Sequence, residues 1–280
     1  MIIWDPSPGL QKPLVPQFLW LRTSLLVSCL LLPTTTNMEQ AFVQTQIDSP
    51  KFAPDLQLSS KSGEVADIQC PSFQENSMCP CYKFEDGLFL ECPGTTAVSL
   101  RATLEKITSP IQSLSIYDFD RSVTSLSQDV FLAGVNIKHL QFSHSHLETL
   151  KDNSLKNLRA SLESLSIVNG KLAQVPTKAL NGMHKLMVLD FDSNEITSLD
   201  DYSFYGLRLV KLNMKSNRLE IIPEHAFTGL EESMAEIDLS ENRLKMFPMS
   251  ALKRLDYLRT LRLSLNQIST FYGGMGNEGV

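Results

Sequence analysis

Outside residues 70–92 the chain has a single cysteine, Cys29, and none falls in the last 188 residues. Disulfides spaced along the whole chain are therefore excluded. There is no run of Lys and Arg, and the formal charge is −6, so a phosphate backbone finds no basic face and nucleic acid is not expected as a partner. Anionic lipid headgroups are equally ill served. GxSxG, HExxH and the phosphate-loop glycine pattern are all absent, which removes the usual sequence marks of acyl transfer, zinc hydrolysis and nucleotide chemistry. Neither an enzyme nor a cofactor is expected. No Asn-x-Ser/Thr acceptor occurs, since Asn76 and Asn153 directly precede Ser77 and Ser154; without such glycans the face opposite any binding surface stays open to self-association or membrane-proximal packing.

What is present is a folded chain, 42% apolar and 20% charged, in the ordinary globular range. Residues 23–32, TSLLVSCLLL, form an apolar core preceded by Lys12 and Arg22 and followed by Pro33 and TTT. That order is a secretory signal, with cleavage expected before Asn37. Spanning a bilayer takes about 20 apolar residues, so an uncleaved anchor or a buried helix is the lesser alternative. Cys29 would leave with the signal. Cys70, Cys79, Cys81 and Cys92 remain, all within 23 residues, and in an exported chain an even local cluster reads as two disulfides. Four thiolates also suit zinc, but the export signal and the gaps of eight and ten residues favour disulfides, and no metal is expected. Residues 37–69, rich in Ser, Pro and Asp, read as a flexible leader.

From residue 111 the sequence repeats. IQSLSI (111–116), IKHLQF (137–142), LESLSI (162–167), LMVLDF (186–191), LVKLNM (209–214), MAEIDL (234–239) and LRTLRL (258–263) start 26, 25, 24, 23, 25 and 24 residues apart. This is the leucine-rich-repeat period, and it predicts an α/β solenoid with parallel strands on one, concave, face. One such unit is too small to bury a core; stacked units bury their first, fourth and sixth motif positions as a continuous column. LFLEC (88–92) is expected as an eighth strand, with Leu88 and Leu90 in phase with Leu114 and Ile116. Three residues after the last four strands stand Asn194, Asn217, Asn242 and Asn266, whose amides can donate and accept bonds to the turn backbone. Phe119, Ser145 and Gly170 replace them earlier, so the first turns are expected to be looser or bonded differently. Phe131, Phe204 and Phe227 are expected to stack on the returning side, entered through Pro176, Pro223 and Pro248 and left through glycines.

Solenoids need covered ends, and residues 70–92 supply a cysteine-rich N-terminal cap with its first strand. Repeats run over 93–271, and 272–280 form a tail. The chain closes on YGGMGNEGV with neither a cysteine cap nor a polar helix. The expectation is that the natural chain continues, or that a partner or second copy covers the uncapped C-terminal repeat. Membrane attachment would need that longer chain or an uncleaved signal.

CPSFQENSMCPCYKFEDGLFLEC resembles the N-terminal flank of extracellular leucine-rich-repeat proteins, and LMVLDFDSNEITSLDDYSFYGL and MAEIDLSENRLKMFP resemble their 24-residue repeat. The likeness covers residues 70–271, about seven tenths of the chain, and is to arthropod proteins of the chaoptin type and of the non-catalytic subunit of shrimp luciferin monooxygenase. It implies a horseshoe with Cys70 bonded to Cys81 and Cys79 to Cys92. It also implies a secreted or cell-surface recognition or adhesion module, or an accessory subunit that stabilises one secreted partner.

Strand alternation turns a central column outward: Ser115, Gln141, Ser166, Asp190, Asn213, Asp238 and Arg262. A second column runs Tyr117, Ser143, Val168, Asp192, Lys215, Ser240 and Ser264. The acids Asp190, Asp192 and Asp238 would suit a basic protein partner, with Tyr117 as an aromatic anchor and Gln141, Asn213, Lys215 and Arg262 beside them. The alternatives are binding at the flanks or the opposite side, or an ordinary solvated sheet. His139, His144 and His146 are too scattered across strand and turn to suggest a metal site.

Overall fold

In a computed structural model, residues 2–3, 68–71 and 79–269 are described. Apart from Ile2 and Ile3, the expected signal lies outside them, as do most of the leader, the interior of the first cysteine gap and the tail. The strands are β1 (Ile2–Ile3), β2 (Cys81–Phe84), β3 (Gly87–Pro93), β4 (Ile111–Tyr117), β5 (Ser125–Leu126), β6 (Ile137–Ser143), β7 (Thr149–Leu150), β8 (Ser164–Val168), β9 (Val188–Asp190), β10 (Lys211–Asn213), β11 (Glu236–Asp238) and β12 (Thr260–Arg262). Short helices α1 (Ala97–Leu104), α2 (Thr177–Leu180) and α3 (Met249–Leu252) stand among the returning segments. No described helix is long and apolar enough to cross a membrane.

Ten strands form one sheet in the order β1-β12-β11-β10-β9-β8-β6-β4-β3-β2. Every pair is parallel except the β2–β3 hairpin, which closes the N-terminal edge. Disulfides Cys70–Cys81 and Cys79–Cys92, the pairs the resemblance implies, tie this hairpin to the segment before it. The expected phase of β3 is corrected: Leu90 and Cys92, not Leu88 and Leu90, stand opposite Leu114 and Ile116. The register also shifts by one residue between Leu88, opposite Ile111, and Phe89, opposite Ser113. A slip of two residues leaves the same side chains facing the core, so the sequence pattern could not distinguish the two phases.

The core is the predicted column. Leu114, Leu140, Leu165, Leu189, Leu212 and Ile237 are buried, as are Ile116, Phe142, Ile167, Phe191, Met214 and Leu239 one pleat further on. Each contributes about 2 kcal/mol of apolar burial, and each needs the next repeat for its cover. On the returning side only Phe204 and Phe227 stack, with centroids 6.1 Å apart and planes at 17°. Phe131 does not join them, because the intervening repeats place Leu155 and Leu180 in the column, both buried. Pro176 and Pro248 do open short helices, as the N-caps of α2 and α3.

The asparagines hold neighbouring repeats together. Asn217 Oδ1 accepts the Ile196 N–H of the preceding repeat at 3.0 Å, while its Nδ2 donates across to the Phe191 carbonyl at 2.8 Å and back to Met214 and Lys215 at 3.2 and 3.1 Å. Asn194, Asn242 and Asn266 repeat the scheme on Leu172 and Ile167, Leu219 and Met214, and Leu244 and Leu239. The earlier turns are indeed bonded differently. Phe119 packs edge-on against Phe142, with centroids 5.6 Å apart, and Ser145 Oγ, though buried, has no hydrogen-bond partner among the described residues. At Gly170 a Cβ would lie 2.7 Å from Asn194 Oδ1, so glycine there makes room for the first amide of the ladder. Gly170→Ala is expected to displace Asn194 and lose about 1–3 kcal/mol, measured by urea unfolding; a loss within error would mean the amide simply shifts.

One backbone feature recurs without a residue type. Asp118, His144, Asn169, Ser193, Ser216, Glu241 and Leu265 all have φ between 49° and 56°, each two residues beyond the last apolar strand position. The first six donate their N–H to the next repeat's carbonyl, Asp118 to Ser143 and so on to Glu241 with Ser264. A left-handed non-glycine residue costs about 1–2 kcal/mol, least for Asn and Asp. Leu265, 57% exposed, gains little from packing to offset that cost. Leu265→Asn is therefore expected to stabilise the chain by about 1 kcal/mol, read as a higher urea midpoint; destabilisation would show that the leucine side chain packs usefully.

Candidate binding face

The sheet register brings the predicted central column together. Ser115 pairs with Gln141, Gln141 with Ser166, Ser166 with Asp190, Asp190 with Asn213, Asn213 with Asp238 and Asp238 with Arg262. In the second column Tyr117, Ser143 and Val168 are paired strand residues. Asp192 and Lys215 lie past the ends of β9 and β10, and the sequence could not show why. Asp190 Oδ1 accepts the Asp192 N–H at 3.0 Å, Asn213 Oδ1 that of Lys215 at 3.0 Å, and Asp238 Oδ1 that of Ser240 at 2.9 Å. A short Asx side chain that captures a backbone donor two residues on turns the chain out of the strand. Strands β9, β10 and β11 end at these residues, whereas Ser115, Gln141 and Ser166 let β4, β6 and β8 run two residues further.

The column acids thus shape the backbone as well as carry charge. Asn213 does the same structural task uncharged, so the two roles can be separated by substitution. Around them, charges pair between repeats: Lys215 with Glu241 at 3.1 Å, Lys211 with Glu236 at 3.8 Å, Arg262 with Asp238 at 3.9 Å and Arg218 with Glu195 at 3.1 Å. Such exposed pairs add little stability, about 0–1 kcal/mol each, but they neutralise their part of the face. Asp190 and Asp192 have no ion pair among the described residues. Lys211, Glu236 and Glu241 are members of this surface that the sequence reading missed; Lys211 and Glu236 belong to the column just before the central one.

Burial is the largest cause holding the Asp190 carboxyl above its ordinary value, and the Asp192 charge adds to it; the Asp192 N–H and Lys211 pull the other way. Hydrogen bonding to Ser216 and Lys215 holds Glu241 low, and Glu241 in turn raises Lys215. An acid whose folded pKa is raised binds its proton more tightly when folded. Ionised Asp190 therefore works against folding; the penalty is complete above its folded pKa and gone below the ordinary Asp value. Asp190→Asn keeps the turn and removes the charge. The stability difference between wild type and this variant is expected to narrow as pH falls through that window, in paired urea titrations; a difference independent of pH would contradict the raised carboxyl.

Of the three central histidines, His139 is exposed on β6, His144 sits in the left-handed turn and His146 is half-buried, its Nδ1 without a hydrogen-bond partner among the described residues. Among the described residues no three His, Cys, Asp or Glu side chains converge as a metal site.

Two family models match: the leucine-rich repeat over residues 160–219, and the BspA-type leucine-rich-repeat region of six copies over residues 68–186. Zebrafish (Danio rerio) keratocan is 28% identical over 147 residues, 51% of this chain and 40% of its own length. Drosophila melanogaster chaoptin is 30% identical over 135 residues, 47% of this chain and 10% of its own. The chain thus spans less than half the length of these relatives. Among solved structures, the TLR13–ssRNA13 complex superposes with a TM-score of 0.52 at 20% identity, over 65% of this chain and 28% of that one. With an in-register parallel sheet, an asparagine ladder and a disulfide-closed first strand, the chain is a leucine-rich-repeat solenoid protein, similar to chaoptin.

Proposed function

We propose that the chain is an extracellular, non-enzymatic protein-binding module that takes up a partner's Lys or Arg side chains on its sheet face. The observation that carries this is the pair Asp190 and Asp192, acids without an ion pair among the described residues on a face whose other charges are largely matched. Asp190 is partly desolvated, which strengthens any cation brought to it. Tyr117, Gln141 and Asn213 offer an aromatic ring and amides along the same two columns. Two disulfides in the cap and the likeness to keratocan and chaoptin support an extracellular setting.

The test is a displayed random-peptide library panned on the chain at low salt, then on the Asp190→Asn, Asp192→Asn double variant. Enrichment of Lys/Arg-rich peptides that falls about tenfold with the double variant is expected, in line with loss of about 1.4 kcal/mol of charge-assisted binding. Enrichment without basic residues, or enrichment indifferent to the double variant, would overturn the reading. Because asparagine preserves the turn at this position, a loss of binding could not be put down to a distorted strand end.

A further inference from the structure

The segments that return from one strand to the next, on the face opposite the sheet, carry an aromatic corner. Tyr202 and Tyr205 are 51% and 68% exposed, their rings perpendicular with centroids 6.2 Å apart. The Tyr202 ring is backed by His225, stacked at 5.7 Å with planes 4° apart. Tyr205 lies over Gly229, where a Cβ would come within 3.1 Å of the Tyr205 ring. The corner is thus in place before any ligand arrives, which lowers the cost of binding.

Tyr202 is also strained, with φ at 63°, a conformation unusual for a bulky side chain. The equivalent position two repeats earlier is Asn153, at φ 60°, the residue type that adopts this geometry most readily after glycine. Tyrosine at 202 therefore costs stability that asparagine would not, and its ring contributes nothing to the buried core. Strain held at a surface aromatic points to use of the ring itself.

Beneath the corner is a cavity of about 170 Å³ between the return segments of adjacent repeats, walled by Thr177, Lys178, Leu180, Asn181 and the two tyrosines. It is smaller than the roughly 300–1,000 Å³ of pockets for drug-sized ligands, a size suited to a single ring. The lining is mixed: the tyrosines, Leu180 and Leu207 are its largely apolar members, and Asn181 and Thr177 bring an amide and a hydroxyl, neither with a hydrogen-bond partner among the described residues. Lys178 is matched by Asp152 at 3.6 Å, so the pocket is close to electrically balanced. A neutral ring with one C–H face and a rim of hydroxyls meets each of these demands. We propose that this pocket is a carbohydrate subsite in which a pyranose stacks its C–H face on Tyr202 or Tyr205 and hydrogen-bonds through its hydroxyls to Asn181 and Thr177. It is independent of Asp190 and Asp192 on the opposite face.

The experiment is saturation-transfer-difference NMR of the full chain with methyl pyranosides of the gluco, galacto, manno and N-acetylglucosamine series. Transfer to ring C–H protons is expected for at least one sugar. That affinity should fall about tenfold in Tyr205→Ala and in Tyr202→Asn, the loss expected for one aromatic contact, and be unchanged in the Asp190→Asn, Asp192→Asn variant. Tyr202→Asn should at the same time raise the thermal midpoint, since it restores the residue found at 153, so lost binding cannot be ascribed to unfolding. No transfer to any sugar, or transfer equal in wild type and both tyrosine variants, would overturn the proposal.

Discussion

Asn217→Ala is expected to lower the free energy of unfolding by about 1–3 kcal/mol, although it removes only a small polar side chain. The side chain is buried, and its loss leaves the Ile196 N–H of the preceding repeat without its partner, while the Phe191, Met214 and Lys215 carbonyls each lose one donor but keep Asn194 Nδ2, Asn242 Nδ2 and the Ser193 N–H respectively. Each buried group left unsatisfied costs about 1–3 kcal/mol. Asn217→Asp is the informative companion: it keeps the acceptor toward Ile196 but turns an oxygen toward three carbonyls, so it should be at least as damaging. Urea unfolding of the three proteins decides the matter. An aspartate variant near wild type would mean that the donor half of the amide contributes nothing.

Replacing Cys79 and Cys92 together by alanine is expected to cost about 3 kcal/mol from chain entropy alone, for a loop of this size, and more in practice. The separation is 13 residues, and both cysteines are buried, Cys92 opposite Ile116 in the apolar column. The same replacement at Cys70 and Cys81, closing 11 residues and only partly buried, should cost less. Opening the first bond also frees the β2–β3 hairpin that covers the edge of β4, so apolar surface is exposed and self-association should follow. Thermal midpoints with and without reductant, with size-exclusion profiles, test the ranking; equal losses from the two pairs would show that the cap is held by its hairpin rather than by the buried bond.

Much of the candidate face was legible beforehand. Asp190, Asn213 and Asp238 align because parallel strands with a common motif stack equal positions, and that follows from the period. That these same side chains end their strands was not legible, because an aspartate at an outward position reads the same whether it meets solvent or a backbone N–H two residues on. The pairing of Lys215 with Glu241, which removes one cation from the free surface, depends on which rotamers reach across a repeat boundary. The Tyr202–Tyr205 corner was missed because SFYGL reads as one more return segment; the clue within reach was Asn153, whose place in the preceding pattern tyrosine takes.

The sequence by itself determined the solenoid, its period, the buried columns and the outward ones, since these depend on local alternation and on repetition, both of which are one-dimensional. It also marked where the asparagines stand, through simple spacing. Only the tertiary structure decided that each asparagine bonds the repeat before it, that seven dissimilar residues share one left-handed turn, that β3 sits two residues from its apparent phase, and that Phe131 stands apart from Phe204 and Phe227. The reason is common to all four: each depends on what the adjacent repeat places a few ångströms away, and a shift of two residues, or a leucine in place of phenylalanine, leaves the pattern along the chain unchanged while altering which atoms meet.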